Sequence, residues 1–173
     1  MSWGNFRDIV LRRRKRSVPD GVTMSCVYCQ NTLFKKELAD NLYLCPKCDG
    51  HHTMPAQQRI ELLLGKGTRE LFGGLISNDP LEFKGPKTYR DRLERARKDT
   101  GMEDAALCSE GKLGEHEVIV VCTDPRFIMG SMGSVVGEKI ARSFEEGTRR
   151  KLPVIIVSGG GGGARMDEGV FSL

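Results

Sequence analysis

An α/β layered fold behind a small cysteine-built module is what this sequence predicts. Two observations carry the prediction. Cys26-Val-Tyr-Cys29 and Cys45-Pro-Lys-Cys48 form two C-x2-C pairs with fifteen residues between them. Further along, residues 104–173 read as strands, a helix, a strand, a glycine loop and a new helix, the pattern of crossover connections between packed layers.

The cysteines come first. Thiolates are soft ligands, and four of them complete a tetrahedral Zn²⁺ shell with no position left open. A C-x2-C loop is short enough for both sulfurs to face one ion, and the stretch between can hold a hairpin that brings the second knuckle beside the first. Cys26, Cys29, Cys45 and Cys48 are therefore the candidate ligands of one structural zinc ion. Two disulfides or a four-cysteine iron–sulfur site are the competing readings. Against disulfides, only Ile9-Val10-Leu11 precedes Arg12, too little for the apolar region of a secretory signal, so a cytoplasmic location is expected. Two symmetrical knuckles around a hairpin suit zinc better than iron–sulfur. His51 and His52 could compete as ligands, but four thiolates already satisfy the ion. Cys108 and Cys122 lie in apolar or alternating stretches and read as small core residues.

The 173 residues suffice for one ordinary domain plus a small module. At 39% hydrophobic and 29% charged the chain reads as soluble and globular. No apolar run approaches the length of a membrane span, so no membrane partner is expected. The net charge of +4 is uneven: residues 1–20 hold six basic and two acidic groups, and residues 21–173 hold twenty-one of each. The basic arm could touch nucleic acid or an acidic protein face, or remain a solvated terminus. The ribbon is balanced, with Lys35, Lys36 and Lys47 against Glu37, Asp40 and Asp49. Tyr28, Phe34 and Tyr43 can form its small core.

Four segments follow in order. Residues 1–21 are the arm, closed by a Pro19-Asp20-Gly21 turn. Residues 22–54 are the zinc ribbon, with two short strands expected between Asn31 and Leu44 around a turn near Ala39-Asp40-Asn41. So small a unit needs its metal for most of its folding energy. Residues 55–103 form a helical connection. Pro55 opens a helix through Leu64, stopped by Gly65, with Ile60, Leu63 and Leu64 on its apolar face. Thr68–Phe72 reads as another helical turn, and 73–87 as irregular. Thr88-Tyr-Arg-Asp91 starts a capped helix that ends at Gly101, and its many charges suggest a solvated face.

Residues 104–173 carry the layered domain. Strands over 105–113 and 117–123 meet at the Gly114-Glu115-His116 turn, and Val118–Val121 is a β-branched run suited to burial. The loop Met129–Ser134 opens a helix whose Val136, Ile140 and Phe144 share one face. Pro153–Val157 is a buried strand. Ser158 and the five glycines Gly159–Gly163 then lead into a helix beginning at Ala164.

Glycine loops between strands and helices let backbone N–H groups approach a ligand, and the helix N-terminus adds a positive end. Such a site suits a phosphate or a developing oxyanion. A P-loop places Lys-Ser/Thr after its glycines, whereas this chain has Ala164-Arg165, and a dinucleotide fingerprint also fits poorly. An oxyanion hole is the surviving chemical option, with a flexible loop as the competing one. No catalytic acid or base stands out. Asp167 and Glu168, on a first helical turn, read as complements of their own helix dipole.

The cysteine ribbon, Cys45-Pro-Lys-Cys-Asp49, Tyr89-Arg-Asp-Arg-Leu93, Phe127-Ile-Met-Gly-Ser-Met-Gly-Ser-Val-Val136 and Gly162-Gly-Ala-Arg-Met166 stand in one order. Together with Met1-Ser-Trp3 and the arm, they resemble the β subunit of bacterial and plastid acetyl-CoA carboxylase carboxyltransferase over essentially the whole chain. The resemblance implies a ClpP/crotonase-like domain, of which this chain holds the first part, and an α₂β₂ assembly with a carboxyltransferase α subunit. It implies transfer of the carboxyl group from carboxybiotin, on the biotin carboxyl carrier protein, to acetyl-CoA, giving malonyl-CoA for fatty-acid synthesis. Biotin carboxylase completes the assembly, which brings the attributes of ATP and nucleotide binding, in the cytoplasm or a plastid stroma. The amides of Gly162 and Gly163 would stabilise the enolate oxygen, and Gly130, Gly133, Ala164 and Arg165 would line the substrate. The ribbon would cap the active-site face, and in some relatives it is linked to nucleic acid.

Two departures stand against the family pattern. The family usually reads Ser-Ala-Ser-Gly-Gly-Ala-Arg-Met, and the run here is one residue longer. One residue moves the chain by about 3.8 Å, enough to misplace an oxyanion donor. The family's β subunit also continues beyond the equivalent of Leu173, so a truncated or split subunit, inactive alone, is expected. Two alternatives stand beside this reading: a nucleic-acid-binding zinc ribbon with a vestigial α/β segment, and the same fold acting on propionyl-CoA or another acyl-CoA.

Overall fold

A computed structural model of the chain describes residues 21–160 and 162–172. The basic arm, with its expected nucleic-acid contact, lies outside the described residues apart from Gly21. The chain divides into two compact units, Met1–His52 and Thr53–Leu173.

In the first unit β1 (Thr23–Ser25) pairs antiparallel with β2 (Thr32–Phe34), and the Cys26/Cys29 knuckle is the turn between them. The amide of Cys26 donates to the Asn31 carbonyl at 2.9 Å and closes that turn. The hairpin thus surrounds the first knuckle, whereas it was expected between the knuckles. There α1 (Lys35–Asp40) stands instead of a second strand. The reason is local: Lys-Lys-Glu-Leu-Ala-Asp has no β-branched residue, and most of it favours helix. Leu33 and Leu38 pack with Cys26 and Cys45, and Met24 and Tyr43 lie against them. Tyr28 and Phe34 are 62% and 50% exposed, so of the three aromatics only Tyr43 joins this core.

The second unit is built on a sheet of order β3-β4-β5-β6. Its strands are β3 (Arg69–Leu71), β4 (Ala106–Leu113), β5 (His116–Thr123) and β6 (Val154–Val157). The first three pair antiparallel and β6 runs parallel to β5. The segment expected as a helical turn is therefore β3, held by its ladder to β4 from Arg69↔Glu110 to Leu71↔Cys108. Sheet pairing here overrides local propensity. Residues 55–103 consequently belong to the same unit as the rest of the sheet.

β5 explains the three layers. Its odd and even residues face opposite sides, as a period of two requires. Val118, Val120 and Cys122 pack with Ala56 and Ile60 of α2 (Ala56–Leu64). Ile119 and Val121 pack on the other side with Leu93 and Ala96 of α3 (Tyr89–Thr100) and Val136 of α4 (Ser134–Arg150). The continuous Val-Ile-Val-Val run is thus buried on both faces. Cys108 and Cys122 are fully buried core residues. The expected caps form: the Thr88 hydroxyl accepts the Asp91 amide at 3.1 Å, and Gly101 ends α3 in the left-handed region at φ 71°.

Two expectations fail on α4 and β6. The buried stripe of α4 runs through Val136, Lys139, Ser143 and Gly147, and Phe144 is 50% exposed. β6 is an edge strand with Ile156 40% exposed, so it is half-buried despite its apolar sequence. The first turn of α2 is closed from afar: the Ala56 amide donates to the buried carboxylate of Asp124 at 2.9 Å.

Candidate functional site

The two glycine-rich loops lie against each other. In the first, Ile128, Met129 and Gly130 take left-handed φ values of 43°, 58° and 70° in succession. For a β-branched residue such as Ile128 this backbone is costly and must be held by its surroundings. In the second, the run of glycines is laid against that turn. Gly130 is buried, and a Cβ there would meet the Cα of Gly160 at 3.0 Å. A Cβ on Gly162 would meet the amide nitrogen of Ser131 at 2.6 Å and the carbonyl of Met129 at 2.8 Å. Glycine is needed because backbone meets backbone, not for flexibility.

Downstream the loops are bridged. The Met132 amide donates to the Gly163 carbonyl at 2.9 Å, and the Arg165 amide donates to the Met132 carbonyl at 2.8 Å. Met132 and Ala164 form an isolated parallel bridge, with Ala164 half-buried. Gly162 is half-buried and Gly163 exposed. Among the described residues, no protein acceptor takes the N–H of either Gly162 or Gly163.

The side chain of Arg165, by contrast, points inward and is 1% exposed. Its guanidinium binds Asp104 with two contacts of 2.9 and 3.0 Å. It also donates to the Ser131 carbonyl at 2.8 Å, the Ser131 hydroxyl at 3.1 Å and the Tyr89 hydroxyl at 3.0 Å. All of its donors are thus spent on α3, the approach to β4 and the first loop. Gly133 caps α4 beside this group, and a Cβ there would lie 2.8 Å from the guanidinium.

Glu168 completes the network. One carboxylate oxygen accepts from the hydroxyls of Ser77 and Tyr89, and the other accepts the Ser134 amide at 2.6 Å. Glu168 therefore caps the N-terminus of α4, not its own helix as expected, and it occupies the positive end that an external anion would need. The segment after Ala164 is a 3₁₀ turn over Met166–Ser172, not an α-helix. Asp167 pairs with Arg92 of α3 at 2.6 Å, so the charged face of α3 is not purely solvated.

Burial works to raise the Glu168 carboxyl, but the Ser77 and Tyr89 hydroxyls and the Ser134 amide outweigh it and hold it below the usual range. Such a group stays ionised and is not poised as a general base. Asp124 is likewise raised by burial and more strongly lowered by Arg126 and the Ala56 amide. Arg69, with Arg150, holds Glu110 down to about 2. All three carboxylates are depressed in the folded state. Their stabilisation is present above the unfolded carboxyl pKa, 4.5 for the two glutamates and 3.8 for Asp124, and is lost as pH falls through the folded values. A thermal melting series is expected to be flat from pH 7 to about pH 5 and to decline steeply between about 4.5 and 2. A Glu168→Gln chain, less stable at pH 7, is expected to decline less over that window.

The network residues Ser77, Tyr89, Asp104 and Glu168 were not singled out as site residues by sequence reasoning. The available signal was an acidic residue, Asp104, standing directly before the apolar stretch Ala105-Ala106-Leu107-Cys108 that opens β4.

The four cysteines of the first unit converge. Their sulfurs all lie within 4.8 Å of one another. Cys26 and Cys48 are 3.8 Å apart, and Cys29 and Cys45 are 3.9 Å apart. A tetrahedron with metal–sulfur bonds of about 2.3 Å has edges of about 3.8 Å, so the set fits zinc. Amides and an amide side chain point at the sulfurs: Tyr28 N–H to Cys26 at 3.4 Å, Lys47 N–H to Cys45 at 3.4 Å and Asn31 Nδ2 to Cys29 at 3.2 Å.

No protein-family profile matches the chain. Individual proteins do. The acetyl-coenzyme A carboxylase carboxyl transferase subunit β of Rhodopirellula baltica is 45% identical over 92% of this chain and 52% of its own length. That of Pelobacter propionicus is 44% identical over 100% of this chain and 62% of its own length. The chain is a homologue of these β subunits. It spans between about half and two thirds of the length of the curated relatives it matches. Among solved structures, transcarboxylase 12S superposes with a TM-score of 0.55 at 20% identity, over 69% of this chain and 21% of that one. A single-chain, multi-domain long-chain acyl-CoA carboxylase gives 0.51 at 18% identity, over 79% and 13%. The β-subunit homologue therefore has the crotonase-like carboxyltransferase fold, and its four clustered cysteines form a possible zinc ribbon.

Proposed function

We propose that this chain supplies the enolate-stabilising loop of a carboxyltransferase that moves the carboxyl group of carboxybiotin to acetyl-CoA. The observation that carries the proposal is the pair of amides at Gly162 and Gly163, which no protein acceptor takes among the described residues, on a loop fixed by Arg165. The names of the homologous β subunits support the substrate. In the reaction acetyl-CoA loses a methyl proton and its thioester oxygen gains enolate charge. N–H donors fixed at that oxygen stabilise the charge as it develops. The methyl carbon then bonds to the carboxyl carbon, and biotin regains the proton in place of its carboxyl group.

Arg165 serves here as a positioning residue, because its side chain is spent on Asp104, Tyr89 and Ser131. The substrate would meet the backbone of 162–164, while the buried Gly130 and Gly133, packed against Gly160 and Arg165, would seat that loop rather than touch the substrate. The longer glycine run is compatible with this role, since the bridge to Met132 sets the position of Gly163 independently of the run upstream. The partners are a carboxyltransferase α subunit and the biotin carboxyl carrier protein, with biotin carboxylase in the full cytoplasmic complex. ATP binding would belong to that wider assembly, because the glycine run here lacks the Lys-Ser/Thr of a P-loop. The four thiolates would hold one structural zinc ion, which supplies folding energy and no open coordination position.

The test is carboxyl transfer by the chain in complex with the α subunit and with the remaining β-subunit length supplied in cis or in trans. Malonyl-CoA formation from carboxybiotin and acetyl-CoA is expected. A stable complex that forms no malonyl-CoA overturns the proposal.

A further inference from the structure

His52 stands beside the metal-binding cysteines without belonging to the C-x2-C pattern. Its Nε2 lies 3.3 Å from the sulfur of Cys26, within hydrogen-bond reach for sulfur. Cys26 is fully buried, so its thiolate depends on protein donors to spread its charge. The His52 backbone is tied down by its amide, which donates to the Tyr43 carbonyl at 2.7 Å. The ring is braced too. Tyr28 meets it edge-on with centroids 5.9 Å apart at 88°, and the Tyr28 hydroxyl donates to the His51 carbonyl at 3.1 Å. The Tyr28 ring rests on Gly50, where any Cβ would run into it. This gives the 62% exposed Tyr28 a purpose.

We propose that His52 is a positioning residue of the metal centre, donating Nε2–H to the Cys26 thiolate and slowing metal loss. Four thiolates around one Zn²⁺ leave an excess of two negative charges. Each N–H···S bond withdraws part of that charge and fixes the direction of the sulfur. Asn31 does this at Cys29 and the knuckle amides do it at Cys26 and Cys45. His52 adds a second donor at the buried sulfur. It is not a fifth ligand, because the 3.8 and 3.9 Å sulfur spacings already match a closed tetrahedron.

The inference rests on the four-thiolate zinc reading, and the experiment separates the two. The full chain is prepared as wild type, H52Q, which keeps an N–H donor, and H52F, which keeps a ring against Tyr28 but has no donor. Zinc content, chelator competition, the rate of zinc release and the thiolate-to-metal absorption of the cobalt-substituted protein are measured. The wild type is expected to hold one zinc, with H52Q close to it. H52F is expected to bind zinc about 10–100-fold more weakly and to shift the cobalt absorption. No zinc in the wild type overturns the metal reading itself. One zinc in the wild type with unchanged affinity in H52F overturns the role of His52. Equal losses in H52F and H52Q assign the effect to packing and overturn donation. A cobalt spectrum of three sulfurs and one nitrogen makes His52 a ligand and overturns it too. If H52F cannot be purified, Y28L removes the brace and must release zinc faster than wild type, and an unchanged rate overturns the inference.

Discussion

Replacing Gly162 by alanine is expected to lower the rate of malonyl-CoA formation in the assembled enzyme by about a hundredfold or more. The added methyl carbon would fall 2.6 Å from the Ser131 amide nitrogen, 2.7 Å from its Cα and 2.8 Å from the Met129 carbonyl. All three are backbone atoms, so none can swing aside. The two loops must separate, and the Gly162 and Gly163 amides move with them. A shift near 1 Å in donors aimed at a developing oxyanion costs about 10²-fold. Gly163→Ala is the packing control, because a Cβ there meets no protein atom within 4 Å. Its melting temperature is expected to remain near wild type, whereas that of G162A falls. The measurements are kcat, KM and melting temperature for both variants, with the loss in G162A falling on kcat. Equal behaviour of the two variants would remove the close approach of the loops from the explanation of rate.

The second large effect is on stability. Arg165→Met is expected to destabilise the second unit by about 3–5 kcal/mol, because it leaves the buried Asp104 and Glu168 without their cation. Urea unfolding at neutral pH reads this directly. Arg165→Lys keeps the charge but cannot reproduce the two-pronged contact with Asp104 or reach Ser131 at the same time, so most of the loss is expected to persist. The double variant D104L/R165M is expected to lose less than the sum of the single changes, since each removes the other's unpaired partner. Strict additivity would mean that the pair does not act as a unit.

The sequence made the secondary structure around β5 plain because its apolar run, its turn at Gly114 and the capped helix before it all obey local rules. It also made the metal ligands plain, since thiols at that spacing have few other uses. It misled where a segment's fate is decided by a distant partner. Thr68–Phe72 became β3 because β4 was there to pair with it. Phe144 was taken for core from its period alone, yet the neighbouring Lys139 and Ser143 fill the interior, and Lys139 donates to the Ala106 carbonyl at 2.7 Å. Arg165 could be found as a site residue but not oriented. Only the positions of Asp104 and Tyr89, 61 and 76 residues earlier, reveal that its charge points inward. The glycine loops were legible as a place for close approach. That the approach is to another stretch of backbone, with the Gly162 and Gly163 amides taken by no acceptor among the described residues, was not.

The two remote carboxylate caps carry a consequence for biosynthesis. On a ribosome the first residue of α2 appears 68 residues before Asp124, which accepts its amide, and the first residue of α4 appears 34 residues before Glu168. Each helix therefore leaves the exit tunnel with its leading N–H groups facing water and closes only when a much later part of the chain arrives. The four described strands of the sheet are already synthesised by Val157, yet the opening turn of α4 stays unfinished until residue 168 emerges. Translation halted between these two points would yield a nascent chain with these four strands and no finished loop pair.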